Sequence, residues 1–211
     1  MIATAVPRTP LTCAVETALR APSVHNTQPW RWRIGSAAVQ LHADPLRHLP
    51  ATDPGRRDLL ISCGTALHHL RVALAGAGSA AEVLRMPDPE DRDHLAAVHP
   101  VPGPPDPELV ALAPAIAERR TDRRRLSRRP VPGDLLATLV GRAAAQGALL
   151  VPVVDEGRRD RLLATMAEAA VLQRAVPGYA AELQQWTHRY AQARDGVPAA
   201  AVAPQPTGTA M

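Results

Sequence analysis

Apolar positions first recur at helical spacing just after Thr9, where Leu11, Val15, Ala18 and Leu19 share one face. Thr9-Pro10 supplies an N-cap and a proline for the first helical position. Pro22 disfavours helical geometry at Ala21, so this helix is expected to end near Arg20. A polar loop follows, APSVHNTQPW from Ala21 to Trp30. In Trp30-Arg31-Trp32-Arg33-Ile34 the apolar period shortens to two, which predicts a half-buried strand. Gly35-Ser36 turns the chain and Val39-Gln40-Leu41-His42 runs back, completing a hairpin. Asp44 to Pro54 reads as a polar connection. Asp53-Pro54 repeats the cap-plus-proline signal, and Leu59, Leu60, Cys63, Leu67, Leu70 and Leu74 predict the next helix. Gly76 and Gly78 end it.

Glu82 to Met86 and Leu95 to His99 predict two more strands, and a proline-rich link runs from Pro100 to Pro107. Asp106-Pro107 opens a third helix with Leu109, Leu112 and Ile116, and Pro114 inside it is expected to kink or interrupt it. A basic run, ERRTDRRRLSRR from Glu118 to Arg129, separates this helix from one at Asp134 to Ala145. Ala148 to Val154 is expected to be an apolar strand, followed by helices at Arg158 to Arg174 and Tyr179 to Arg194. From Val197 to residue 211 there is no periodicity, and the expectation is a disordered tail. The order of elements predicts an α+β protein rather than a βαβ repeat. No internal repeat is obvious at short periods, and no glycine-rich dinucleotide fingerprint and no Walker sequence appears.

Composition refines this. The 211 residues suit one domain or two small ones, and 46% hydrophobic residues suffice for a core. Aromatics are 2% with no Phe, so Leu, Val and Ala must fill that core. The missing Phe also counts against a module that stacks bases on rings. The formal net charge is +4, and every basic residue is Arg. This points to a GC-rich, actinobacterial coding bias and lowers the weight of any Arg cluster. Cys13 and Cys63 lie in apolar helical patterns and read as buried free thiols of a reducing compartment, not as a disulfide or zinc site. The N-terminus lacks a signal-peptide pattern, and no stretch is expected to span a membrane, so the reading is cytoplasmic.

Two segments carry candidate chemistry. In APSVHNTQPW, Ser23, Asn26 and Gln28 offer donors and acceptors beside unpaired backbone N–H groups, a set that suits a planar heterocycle. The same residues suit a structural loop whose side chains bond their own backbone. In the basic run, Arg119-Arg120-Thr121-Asp122-Arg123-Arg124 could hold a phosphate dianion through charge-assisted hydrogen bonds, form a solvated face, or contact nucleic acid. The His68-His69 pair cannot jointly face one metal, because adjacent helical residues diverge, and Cys63 on the apolar face reads as inert.

Ala21, Pro22, Ser23, Asn26, Gln28, Pro29 and Trp30 match the APSxxNxQPW signature of the FMN-binding nitroreductase-like family, and His25 and Thr27 make the segment resemble its Acg branch. Asp53 to Leu70 also resembles that branch. The basic run resembles the family's Arg-Arg-Ser/Thr-x-Arg motif, with a proline and a leucine-rich helix after it in the same order. The resemblance implies that Pro22, Ser23, Asn26 and Gln28 meet the flavin ring while Arg119, Thr121, Arg123 and, secondarily, Arg120 hold its phosphate and ribityl chain. Arg124, Arg125, Arg128 and Arg129 are expected to lie outside the site.

The motifs stand in an order that is reversed for the family, which implies a nitroreductase-like tandem pseudo-dimer of two half-domains. The halves are placed at 1–105 and 106–196, with one FMN per chain. The resemblance fades after Asp195-Gly196-Val197-Pro198, so the second half is expected to be incomplete. The implied activity is NAD(P)H-dependent reduction of a nitro or quinone-type acceptor through flavin, with NADH or NADPH as donor. It needs no catalytic side chain and no metal. The alternative is a protein that holds or sequesters FMN with little turnover. Small-molecule acceptors are the expected partners, with neither nucleic acid nor membrane, and the chain is a monomeric pseudo-dimer or a homodimer.

Overall fold

The computed structural model describes residues 9–123, 127, 129–190 and 192–201. By contacts the chain divides into two units, Met1–Arg123 with Ala180–Met211, and Arg124–Tyr179. These boundaries differ from the 1–105 and 106–196 halves because the helix after Asp106 packs on the first unit. The expected halves follow the order of the two motifs whereas the compact units follow packing, so the two divisions need not coincide.

In the first unit, α1 (Pro10–Ala18) begins as predicted, with the Thr9 side chain accepting from the Thr12 N–H at 3.2 Å. The hairpin forms β1 (Trp30–Ile34) and β2 (Val39–Ala43), the latter followed by a short 3-10 turn at Pro45–Arg47. Helix α2 (Arg57–Gly76) precedes β3 (Ala80–Arg85) and β4 (His94–Val101), and α3 (Pro107–Glu118) closes the run. The four strands are antiparallel in the order β1-β2-β4-β3. Pairings such as Trp32 with Leu41 and Leu41 with Ala96 set the apolar side chains on one face, because strand side chains alternate. A register shift between Leu41 and His42 then brings His42 opposite His94, and the two rings stack at 4.4 Å.

Helices α1 and α2 cover the apolar face. Leu11, Val15, Ala18, Leu70 and Leu74 pack with Val39 and Val98, and Ala21, Trp30, Leu41, Leu59, Cys63 and Ala66 pack with Ala96. Full burial of one such leucine stabilises by about 1.5–3 kcal/mol. The opposite side of α2 takes α3, through Val72, Ala75, Leu109 and Ile116. Gly76 permits this approach, since a Cβ there would lie 2.5 Å from the Ala113 Cβ.

Several expectations change. Leu19 and Leu60 are exposed, so the apolar faces of α1 and α2 are narrower than the leucine pattern suggests. Asp53 does not sit at the N-cap of α2; Pro54 and Gly55 lie in a turn, Arg56 takes the cap position, and the Asp53 carboxylate reaches forward to the Leu59 N–H at 2.9 Å. Helix α3 runs on through Pro114, held by buried Leu109 and Ile116 on either side of it. Cys13 faces outward on α1, so only Cys63 is a buried thiol. By length and composition α2 could cross a membrane, against the expectation that no stretch could, but half of it is buried inside this fold.

The second unit holds α4 (Gly133–Ala145) and α5 (Glu156–Arg174), with no buried residue among those described. No strand forms at 148–154. Pro152 removes a backbone donor from its middle. Helix α6 (Tyr179–Thr187) stops short of Arg194, and the chain then turns back, with Val197 buried where an aperiodic tail was expected to start. Most of that tail, 202–211, lies outside the described residues, as do Arg124, Arg125 and Arg128.

Candidate functional site

The APSVHNTQPW loop lies on α2. Ser62 Oγ accepts from the Val24 N–H at 3.3 Å, Thr65 Oγ1 donates to the Pro22 carbonyl at 2.7 Å, and Cys63 Sγ donates to the Pro29 carbonyl at 3.1 Å. Burial pushes the Cys63 thiol up to about 12, which leaves it a weak donor and not a nucleophile. Across the loop itself, Ser23 Oγ accepts from the Gln28 N–H at 2.9 Å. A 3-10 turn spans Val24–Asn26, and His25, Asn26 and Gln28 all have positive φ, at 48°, 56° and 51°. Non-glycine residues in this region store roughly 1–3 kcal/mol each and persist only where their surroundings hold them.

Part of what holds them is the return segment after α6. The Asn26 amide donates to the Gly196 carbonyl at 3.0 Å, and the Gly196 N–H donates back to the Asn26 carbonyl at 3.0 Å. The Gln28 amide donates to the Arg194 carbonyl at 2.6 Å. Arg47 bridges the two sides, donating to the Thr27 carbonyl at 2.7 Å and to Asp195 Oδ2 at 3.0 Å. Arg189 lies 3.6 Å from the other Asp195 oxygen and 5.0 Å above the Trp186 ring. Upstream in α6, the Glu182 carboxylate accepts from the Ala51 and Thr52 N–H groups, each at 2.9 Å. Sequence reasoning missed Arg47, Glu182, Trp186 and Asp195. The turn-forming Asp195-Gly196 pair was the one visible signal.

The basic motif reaches the other end of the loop. Arg119 Nη2 donates to the Arg20 carbonyl at 3.2 Å, and Arg20 in turn donates to the Ala117 carbonyl at 3.0 Å. Arg119 Nη1 meets Thr121 Oγ1 at 3.3 Å, while its Nε is enclosed and has no hydrogen-bond partner. Arg119 also lines a cleft of about 150 Å³ with His68, His69, Val72, Leu112 and Ile116. Burial holds both His68 and His69 below the usual imidazole range, so the cleft carries Arg119 as its fixed cation. Arg123 is exposed and near enough to His25 to act on it: burial first, then the Arg123 charge, lower the His25 pKa, and Asp58 opposes them.

Thus Arg119 bonds the Arg20 carbonyl just before the loop, Thr121 contacts Arg119, and the Arg123 charge acts on His25. Arg120 folds back onto the Ala117 and Arg119 carbonyls, at 2.7 and 2.8 Å, while Asn26 and Gln28 turn toward the return segment. Among the described residues, no group of three or more His, Cys, Asp or Glu is placed to hold a metal.

No family model matches the chain. It is 48% identical over 192 residues, 91% of its length, to a Mycobacterium tuberculosis protein named "Putative NAD(P)H nitroreductase Rv3131". It is 38% identical over 186 residues, 88% of its length, to another named "Putative NAD(P)H nitroreductase acg". A third, "Uncharacterized protein Rv3127", is 39% identical over 193 residues, again 88% of the chain. The chain spans about half the length of these curated relatives, 54%, 56% and 55% respectively.

Proposed function

We propose, from its similarity to proteins named putative NAD(P)H nitroreductases, that the chain binds FMN and takes part in NAD(P)H-dependent reduction of a nitro or quinone-type acceptor. The observation that carries the reading is the meeting of two separated motifs: Arg119 bonds the backbone at the foot of the Pro-Ser loop, and Arg123 acts on His25 within it. The donor set fits the cofactor's phosphate, because the enclosed Arg119 Nε lacks a partner and a guanidinium prefers bidentate contact with an anion. FMN, when bound, would supply the hydride-accepting and electron-donating chemistry.

On this reading the protein's own groups bind and orient. Arg119, Thr121 and Arg123 anchor the phosphate end, with Arg120 contributing only if it leaves its helix carbonyls. Pro22 and Ser23 shape the ring-facing end, with Asn26 and Gln28 behind them. The proposal includes one FMN per chain and a cytoplasmic setting. A second reading, flavin holding with little turnover, draws on the same donor set, since the residues named here bind and orient and none carries a chemical step.

The visible spectrum of the purified protein tests both readings. Flavin absorbance, or uptake of added FMN at one equivalent, supports them, and a colourless protein that takes up none defeats both. NADPH oxidation with a nitroaromatic then separates turnover from holding.

A further inference from the structure

We propose that Asp195, clasped by Arg47 and Arg189, is a positioning residue that sets the shape of the APSVHNTQPW loop, and that Asn26 and Gln28 serve this clasp. The inference rests on the flavin reading for its functional consequence, but its geometry stands apart from any ligand. Asn26 and Gly196 bond each other twice, at 3.0 Å in both directions, and Gln28 bonds the Arg194 carbonyl at 2.6 Å. The donors of both amides are therefore directed to the chain's own backbone. Arg47 ties the loop carbonyl of Thr27 and the Asp195 carboxylate to one guanidinium.

Two arrangements could explain such contacts: a gate that leaves when ligand arrives, or a fixture that holds the loop ready. Burial decides between them. Trp186 and Val197 are 6% and 3% exposed, and the Val197 N–H donates to the Trp186 carbonyl at 2.6 Å. Opening would uncover both side chains, and each burial favours the closed state by roughly tenfold to a hundredfold. The two cation-ring contacts on Trp186, from Arg189 at 5.0 Å and Arg47 at 6.0 Å, would also be lost. Gly196 has φ 73°, and a Cβ there would collide with Arg189 and lie 2.9 Å from the Trp186 carbonyl, so the turn is built for close packing. The three left-handed residues of the loop persist because this packed segment and α2 hold them from two sides.

The test uses the full chain and the variants Asp195→Ala and Asp195→Asn, the second retaining shape and one acceptor should the first fail to fold. Hydrogen exchange of residues 21–30 is followed without ligand, and FMN binding by flavin fluorescence. In Asp195→Ala the 21–30 amides should exchange about tenfold faster and FMN should bind about tenfold more weakly, with Asp195→Asn between it and the parent. Unchanged exchange in a folded variant overturns the clasp. Faster exchange with tighter FMN binding overturns the positioning role and makes the segment a gate. If the parent chain takes up no FMN, the flavin reading falls, and exchange alone decides whether Asp195 shapes the loop.

Discussion

Both units carry helices that contain leucines, and they use them differently. In the first, α1 and α2 lay apolar residues on a sheet, and α3 lays its own on α2. In the second, α4 and α5 bury none, and Leu135, Leu139, Leu163, Met166 and Leu172 remain exposed. Helix formation is a local property of capping, propensity and spacing, whereas burial requires a complementary surface. An apolar stripe therefore predicts a helix more safely than it predicts a core. The sheet makes the difference, since it offers the first unit an apolar face that the second lacks.

The sharpest way to break this comparison is a matched pair of truncations. Leu70→Ala, at a position with 0% exposure, should cost about 2–5 kcal/mol of unfolding free energy. Leu163→Ala, at 56% exposure, should change it by less than about 0.5 kcal/mol. Urea denaturation of both reads the contrast, and comparable losses would mean that α5 has a core after all.

Glu182→Gln comes next, because it weakens the carboxylate that caps the Ala51 and Thr52 N–H groups. A loss of about 1–2 kcal/mol is expected from hydrogen bonds to a charged acceptor. Thermal unfolding would record it, and an unchanged midpoint would show that α6 contributes little to the first unit.

Helix caps give a finer comparison. Thr9 accepts from the Thr12 N–H at 3.2 Å and Asp155 from the Arg158 N–H at 2.8 Å. Replacing either with alanine should cost about 1 kcal/mol of helix stability. Thr9→Ala should lower the global midpoint, while Asp155→Ala should reduce helical circular dichroism and leave that midpoint in place.

The smallest effect is acid sensitivity. All eight histidines lie in the first unit. Burial, and then the neighbouring His94 and Arg33, lower the His42 pKa from the ordinary 6.5, with Asp91 opposing. His25, His68 and His69 are lowered as well. A depressed imidazole means that the unfolded chain takes the proton first. The stability contributed is therefore present above 6.5 and lost as pH falls through and below it. Urea midpoints above and below that value should diverge less in His42→Gln. An identical divergence in the variant would clear His42 of the effect.

These contrasts match what was legible in the sequence. Thr9-Pro10, the Trp30–Ile34 alternation and Asp106-Pro107 each encode their element locally, and the structure has all three. The pattern failed where tertiary context decides. Pro114 stays helical because α2 holds the turns around it, and Ala148 to Val154 forms no strand, with Pro152 removing a donor from its middle. Motif resemblance led to the candidate site, and Arg119 does reach the foot of the Pro-Ser loop. The return segment was not legible, since its contacts join residues more than 140 positions apart, such as Arg47 with Asp195 and Asn26 with Gly196.

Among the described strands, β1 is one edge of the sheet, and its outward-facing positions are Arg31 and Arg33. An edge strand can template pairing with a foreign extended segment, and charge on that edge opposes it. Arg31 donates back to the Ala43 carbonyl at 3.5 Å and both charges act on His42, so they lie over β2. A second β1 pairing on the free edge would set its own Arg31 and Arg33 alongside these like charges. The hairpin that begins at the end of the loop thus carries charge that opposes shared-sheet pairing of two such strands.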